Sequence, residues 1–206
     1  MADAYAPTDR TRLRRQPARG SYDRDVVYGI LDEALVAHVA VATEHGPLII
    51  PTTFARVDDV VYLHGSTANR VFRAAAAGGD VCLAVTLLDG LVLARSAFHH
   101  SMNYRAVVVY GRAVKVRSAA EKRRAVDAIV ERVRPGRAAE ARPPTDAELR
   151  KTIVLRLRLQ EVSAKVRTGG PLDDEADLDW PVWAGVVPLS LVAGKPVPDG
   201  PSLPTS

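Results

Sequence analysis

From residue 35 the chain alternates apolar and polar positions in short runs, each closed by a turn signal. LVAHVAVAT, LIIPTTFARV and VVYLHG are separated by EHGP and by Asp58-Asp59, and that spacing predicts a meander of antiparallel strands. Pro51 in the second run cannot donate to a ladder, so it belongs at an edge, a bulge or a bend near a ligand. DVCLAVTLLDGLVLARS predicts two further strands with Asp89-Gly90 as the hairpin turn between them. In FHHSMNYRAVVVYGRAVKV the apolar run from Ala106 to Tyr110 predicts a long strand buried on both faces, as in a closed barrel. IVLRLRLQEVSAKV predicts one late strand, with Leu155, Leu157 and Leu159 on one face and Arg156 and Arg158 on the other. WPVWAGVVPL is a short final strand.

Helical spacing interrupts this pattern at a few places. Val26, Val27, Ile30 and Leu31 share one face of a helix that Asp23 or Asp25 can cap. ANRVFRAAAAGG reads as a helix stopped by Gly78-Gly79. Ser118 with Glu121 is a capping-box pattern opening a helix to about Val133, and Thr145 with Glu148 repeats it after the loop RPGRAAEARPP. Residues 1–20 lack apolar periodicity and read as an extended arm suited to lie on a partner subunit. Residues 21–190 form the domain, and 191–206 are a proline-rich tail.

Composition narrows the function classes. At 206 residues, 47% hydrophobic and 25% charged, the chain suits one globular domain. The net charge of +4 raises nucleic acid as a partner, but the basic residues between Arg112 and Arg167 alternate with apolar ones or dot a helix. There is no recognition helix, basic run or aromatic platform, so no nucleic-acid partner is expected. Cys82 lies within VCLAV and reads as a small core side chain. No apolar run is long enough to span a bilayer and the N-terminus is polar, so no membrane partner and a cytoplasmic location are expected.

The candidate chemistry centres on VVYLHGSTANRVFR, residues 60–73, which reads as strand, tight turn and helix start. A helix beginning at Ser66 or Thr67 would aim free N–H groups at whatever lies over the turn, with Arg70 beside them, which is an anion site. The competing reading is a simple cap with a solvated arginine. His64 in the turn, and His99-His100 before the long strand, could give a proton to a substrate or ligate haem. The alternative is that they hydrogen-bond their own loops. Asp23, Asp25, Asp32 and Glu33 read as helix-start or solvated charges, and the acidic loop around Asp173 as a solvated connection. No metal site follows from the spacing of ligands.

The order PTTF (Pro51 to Phe54), YLHGSTANR (Tyr62 to Arg70), SMNYRAVVVYGRA (Ser101 to Ala113), SAKVRTG (Ser163 to Gly169) and WAGVVPL (Trp183 to Leu189) resembles the pyridoxamine 5′-phosphate oxidase-like flavoproteins, in the branch that includes nitroimidazole-resistance proteins. The resemblance covers roughly Val26 to Leu189. It implies a mainly β fold, an antiparallel FMN-binding split β-barrel with flanking helices, and a homodimer with FMN at the subunit interface. It implies an oxidoreductase passing a hydride or electrons between a reduced donor and a small acceptor. Ser66, Asn69 and Arg70 then fall at the FMN phosphate. The backbone of Thr52, Thr53 and Phe54, and of Leu63, His64 and Gly65, falls along the ribityl chain and ring. Tyr104 and Arg105 match the strand that approaches the flavin, often from the other subunit, and Trp183 loosely matches a late tryptophan, with an interface aromatic as its plainer reading. Val71 stands where many relatives carry a second cation, a role left to Arg73 or to an arginine across the interface. The ending VPDGPSLPTS lacks the basic motif of a true pyridoxamine phosphate oxidase, so that substrate is not expected. The alternatives are a haem-binding or haem-degrading split barrel, a non-enzymatic flavin-binding protein, and deazaflavin in place of FMN.

Overall fold

A computed structural model of the chain describes residues 3–200. Its strands are β1 (Gly20–Ser21), β2 (Val36–Thr43), β3 (Gly46–Val57), β4 (Val60–Ser66), β5 (Asp80–Leu93), β6 (Ser101–Arg112), β7 (Val114–Lys115), β8 (Thr152–Arg158), β9 (Glu161–Arg167) and β10 (Gly185–Pro188). Its α-helices are α1 (Arg24–Glu33), α2 (Arg70–Ala76), α3 (Ala119–Val133), α4 (Arg137–Glu140) and α5 (Asp146–Lys151). Strands pair in the order β1-β9-β6-β5-β2-β3-β4-β8-β7, with β10 beside β5. This is the expected mainly β, antiparallel split-barrel architecture with flanking helices. The sheet is open, ending in β1 and β7, so the closure read from Ala106 to Tyr110 does not form. Val107 and Val109 are buried there, while Ala106, Val108 and Tyr110 are only partly so. No helix among the described residues is long and apolar enough to cross a membrane.

Packing divides the chain into two units, residues 3–87 with Asn103–Thr168, and Leu88–Met102 with residues 169–200. In the first, β2 and β3 join through a turn with Gly46 at φ +100°, and β3 and β4 through one with Asp58 at φ +49°, a conformation aspartate tolerates better than most side chains. The core gathers Phe54, Leu63, Leu83, Leu155 and Leu157 with Phe72 of α2. Each fully buried side chain of this size contributes roughly 1.5–3 kcal/mol. α1 buries Val27, Ile30 and Leu31 and is capped by Asp23, which accepts from the N–H groups of Asp25 and Val26, while Val26 stays exposed. The second capping box is present in full between Thr145 and Glu148.

Three expectations change in this unit. IVLRLRLQEVSAKV is two strands that do not pair with each other: β8 joins β4 and β7, whereas β9 joins β6 and β1. The alternation runs on through the break at Leu159-Gln160, so it gave no sign of the crossover. The N-terminal arm lies on its own chain. Tyr5 donates its N–H to the Tyr22 carbonyl at 2.8 Å and its hydroxyl to Asp59 at 2.9 Å, and Arg10 bonds Glu161 across the ring of Tyr110. α2 begins at Arg70 rather than at Ser66 or Thr67.

In the second unit, β5 runs straight through Asp89-Gly90 and pairs with β10, Gly90 facing Pro188 and Leu93 facing Gly185. Gly90 is required by close approach rather than by a turn: a Cβ there would stand 2.9 Å from Val186 Cγ1 and 3.1 Å from the Val187 carbonyl oxygen. The acidic loop is anchored. Asp173 accepts from the backbone N–H groups of Arg95 and Ser96 and pairs with the Arg95 side chain at 3.2 Å. Beyond Leu191 the described part of the tail has no regular element, and residues 201–206 of the predicted tail lie outside the described residues.

Candidate functional site

β3 and β4 pair from Val57 with Val60 up to Phe54 with Leu63, and there the ladder stops. Thr53 and Thr52 continue with Val36 and Ala37 of β2, while His64, Gly65 and Ser66 continue with Val154, Ile153 and Thr152 of β8. The facing edges of these two segments therefore have no strand partner among the described residues. Unpaired backbone donors and acceptors of this kind call for a ligand or water. Phe54 and Leu63, both fully buried, hold the vertex of the opening. Pro51, opposite His38, lies on the same opened stretch of β3, where its missing N–H removes one edge donor.

The turn after β4 satisfies itself before the helix starts. The Ala68 N–H donates to Ser66 Oγ, the Asn69 N–H to the Ser66 carbonyl, and the Phe72 N–H to Asn69 Oδ1. Asn69 is thus the cap of α2, which is why the helix begins at Arg70. α2 buries Val71, Phe72 and Ala75 and leaves Arg70 and Arg73 on its exposed side. Val71, only 4% exposed, is a core residue, which accounts for the missing cation at that position. Arg70 and Arg73 have no carboxylate partner among the described residues. With Thr43, Glu44, His45, Leu48 and Ala74 they line a pocket of about 380 Å³. The turn that supplies Thr43 to His45 carries only turn residues in the sequence, so its part in the pocket was not legible there.

His64 stands on the opened segment. Burial pushes its imidazole below the usual histidine range, so the ring is held neutral. Its Nδ1 is buried with no hydrogen-bond partner among the described residues, an orphaned polar atom that calls for a partner from outside the chain. Gly65 packs against Phe72, where a Cβ would meet the ring at 3.0 Å. Tyr104 and Arg105 lie on β6 opposite Arg167 and Val166 of β9, and Arg105 binds both carboxylate oxygens of Glu33. Glu33, a solvated charge on the sequence reading, is thus a structural partner.

Trp183 belongs to the second unit. It is 63% exposed and its ring lies beneath Gly185, whose Cβ would stand 2.8 Å from it. In that unit His99 Nε2 lies 3.2 Å from Asp174, and the ligand atoms of His99, Asp174 and Asp177 fall within 4.8 Å of one another. His100 Nδ1 lies 3.0 Å from the Ser96 carbonyl oxygen, a contact within its own loop.

The family model for pyridoxamine 5′-phosphate oxidase matches residues 23–166. The chain belongs to this family. Among solved structures, the chain is 42% identical to the flavocytochrome Anf3 from Azotobacter vinelandii, over 97% of this chain and 93% of that one, with a TM-score of 0.90. It is 36% identical to an FAD and haem binding protein from Mycobacterium smegmatis, over 88% and 89%, with a TM-score of 0.84. A candidate 5-nitroimidazole antibiotic resistance protein from Bacteroides thetaiotaomicron shares the fold alone, at 21% identity over 71% and 86% and a TM-score of 0.61. No match is found among curated proteins.

Proposed function

We propose that this member of the pyridoxamine 5′-phosphate oxidase family is a flavin-binding redox protein that also carries a haem, passing a hydride or electrons between a reduced donor and a small acceptor. The observation that carries the flavin is the opened ladder between Thr53 and His64, flanked by the uncommitted guanidinium of Arg70. The residues fit the group. A flavin ring presents a donor and acceptor edge to the backbone of Thr53 and His64 at the opening, and its anionic end meets Arg70. When bound, the flavin supplies the hydride or electron chemistry. The chain's own residues orient the ring, offset the phosphate charge and keep a neutral imidazole beside it.

The haem reading is favoured by two relatives above 30% identity, one described as a flavocytochrome and one as binding FAD and haem. Within this chain it is supported by His64, which is half-buried, held toward the neutral form by burial and without a partner at Nδ1, and a neutral imidazole is the form that ligates iron. The working unit of this reading is a homodimer with the flavin at the interface. Exposed apolar side chains such as Phe98, Trp180 and Trp183 in the second unit give such an interface material.

The test is the absorbance spectrum of the full-length protein as purified and after addition of flavin and haem. Flavin bands and an intense Soret band are expected, the latter lost in His64→Ala with the flavin retained. A protein that stays colourless with both added groups would overturn the proposal.

A further inference from the structure

We infer that His99, Asp174 and Asp177 form a site for a divalent transition-metal ion, which clamps two loops of the second unit together. Each residue offers one ligand atom, and the three atoms lie within 4.8 Å of one another. All three belong to the second unit and are a different set from Thr53, His64 and Arg70, which carry the flavin and haem readings. His99 and Asp174 stand 75 positions apart, so no ligand spacing in the sequence announces the site.

A single short turn brings the two carboxylates together. Asp174 precedes the 3₁₀ turn Glu175–Asp177, and the Asp177 N–H donates to the Asp174 carbonyl at 2.9 Å. At about three residues per turn, side chains three positions apart lie over one another, so both acids face one side. Asp174 stands where a cap would, yet its side chain bonds no N–H group of the turn and lies 3.2 Å from His99 Nε2 instead. The imidazole is held as well. His99 ends the 3₁₀ turn Ala97–His99, where Ser96 Oγ accepts from the Phe98 N–H, and its ring meets that of Phe98 edge-on at 5.2 Å. Asp173 ties the two segments by accepting from the N–H groups of Arg95 and Ser96. The donors are therefore positioned before an ion binds.

An imidazole–carboxylate pair needs one acid, and here there are two. Asp174 and Asp177 have no lysine or arginine partner among the described residues, whereas Asp173 has Arg95. Glu175 and Asp179 add negative charge to the same loop. Like charges this close oppose each other's ionisation, and a divalent cation between them reverses that effect. The distances agree with a shared ion. Two donors each about 2.1 Å from one metal stand about 3.0 Å apart at a right angle and about 3.4 Å apart at a tetrahedral one. The His99–Asp174 separation of 3.2 Å falls between these. One nitrogen and two oxygens suit zinc or manganese, while calcium and magnesium favour oxygen alone. Asp174, 78% exposed, leaves the remaining coordination positions to water.

The experiment uses the full-length, untagged chain, stripped of metal with a chelator and titrated with Zn²⁺, following heat of binding and counting zinc by elemental analysis after dialysis. One zinc per chain is expected, bound about tenfold or more tighter than Mn²⁺ and not displaced by about a hundredfold excess of Ca²⁺ or Mg²⁺. His99→Ala and Asp177→Asn should each weaken zinc by about tenfold or more. His45→Ala, which removes a second histidine beside a carboxylate, should leave the affinity within about twofold. Zinc should raise the melting temperature of the wild type and leave that of Asp177→Asn unmoved, and equal melting temperatures without metal show that the variants are folded. The inference is overturned if no stoichiometric zinc binds or if the site is lost with His45→Ala. It is overturned equally if Asp177→Asn binds zinc as the wild type does, the result for a plain His99–Asp174 ion pair.

Discussion

Thr53 and His64 would form the next rung of the β3–β4 ladder after Phe54 and Leu63, and that rung is missing. Each residue is instead held from its far side, Thr53 by Val36 of β2 and His64 by Val154 of β8. The opening is thus a branch in the sheet, fixed by two buried side chains at its vertex, and not a loose loop.

Hydrogen exchange should report this directly. Without cofactor, the backbone amides of Thr53 and His64, which face the opening, are expected to exchange faster than those around Phe54 and Leu63, and to slow when flavin is added. Protection unchanged by flavin in these segments would place the ring elsewhere.

Asn69 separates a capping role from a ligand role. Asn69→Ala removes the acceptor for the Phe72 N–H and should cost about 1 kcal/mol in chemical unfolding. Asn69→Asp restores the cap but sets a negative charge beside Arg70, so it should regain stability while flavin affinity stays below wild type. If Asn69→Asp binds flavin as the wild type does, the phosphate lies away from this turn.

The order of the strands and the helix caps was legible because each rests on local chemistry: Asp23 and Thr145 bond N–H groups two or three residues away. What failed needed long-range knowledge. Gly90 looks like a turn residue in DG, yet it is small because β10, nearly a hundred residues later, passes over it. The pairing of Arg105 with Glu33 of α1, more than seventy residues earlier, likewise shows only in the folded chain. Arg70 was found in the sequence, but the pocket it shares with Arg73 is completed by the β2–β3 turn, whose residues carry no ligand signal of their own.

His64 gives a pH dependence with a definite sign. Burial lowers its folded pKa, so the native state binds fewer protons than the unfolded chain at mildly acid pH. The associated stability is present above the ordinary histidine value of about 6.5 and is lost as pH falls toward the lower folded value. His64→Gln should flatten the unfolding free energy between about pH 7 and pH 5 relative to wild type. A variant with the same slope as wild type would show that the imidazole is not desolvated in the native state.

Gly90 should tolerate little. Gly90→Val puts a branched side chain where a single Cβ already meets Val186 and the Val187 carbonyl. β10 is then expected to detach from β5, at a cost of about 1–3 kcal/mol, and the segment after Gly169 should become readily cleaved by added protease. Wild-type resistance to cleavage would mean that β10 shifts without leaving its place.

Asp59 fastens the N-terminal arm to the β3–β4 turn and supplies the most direct acid test. Its carboxylate accepts from the hydroxyls of Tyr5 at 2.9 Å and Tyr28 at 2.6 Å and from Arg24 at 2.5 Å, and Arg24 lies over the Tyr5 ring at 4.3 Å. Burial alone would raise this carboxyl, but the donors Tyr28, Arg24 and Tyr5 outweigh it and hold the group below the usual range. The arm's stability from this contact is therefore present above the ordinary carboxylate value of about 3.9 and disappears as pH falls through the lower folded value. Asp59→Ala should cost about 1–2 kcal/mol at neutral pH, because the half-exposed site lets water replace part of what is lost. Asp59→Asn keeps an acceptor for the tyrosines and should cost less at neutral pH, while removing the acid dependence. Protease cleavage within residues 3–20 should rise in Asp59→Ala at pH 7 and in the wild type only in acid. Equal cleavage of both at every pH would show that the arm is held by its other contacts, among them those to Tyr22, Asp23 and Glu161, without help from Asp59.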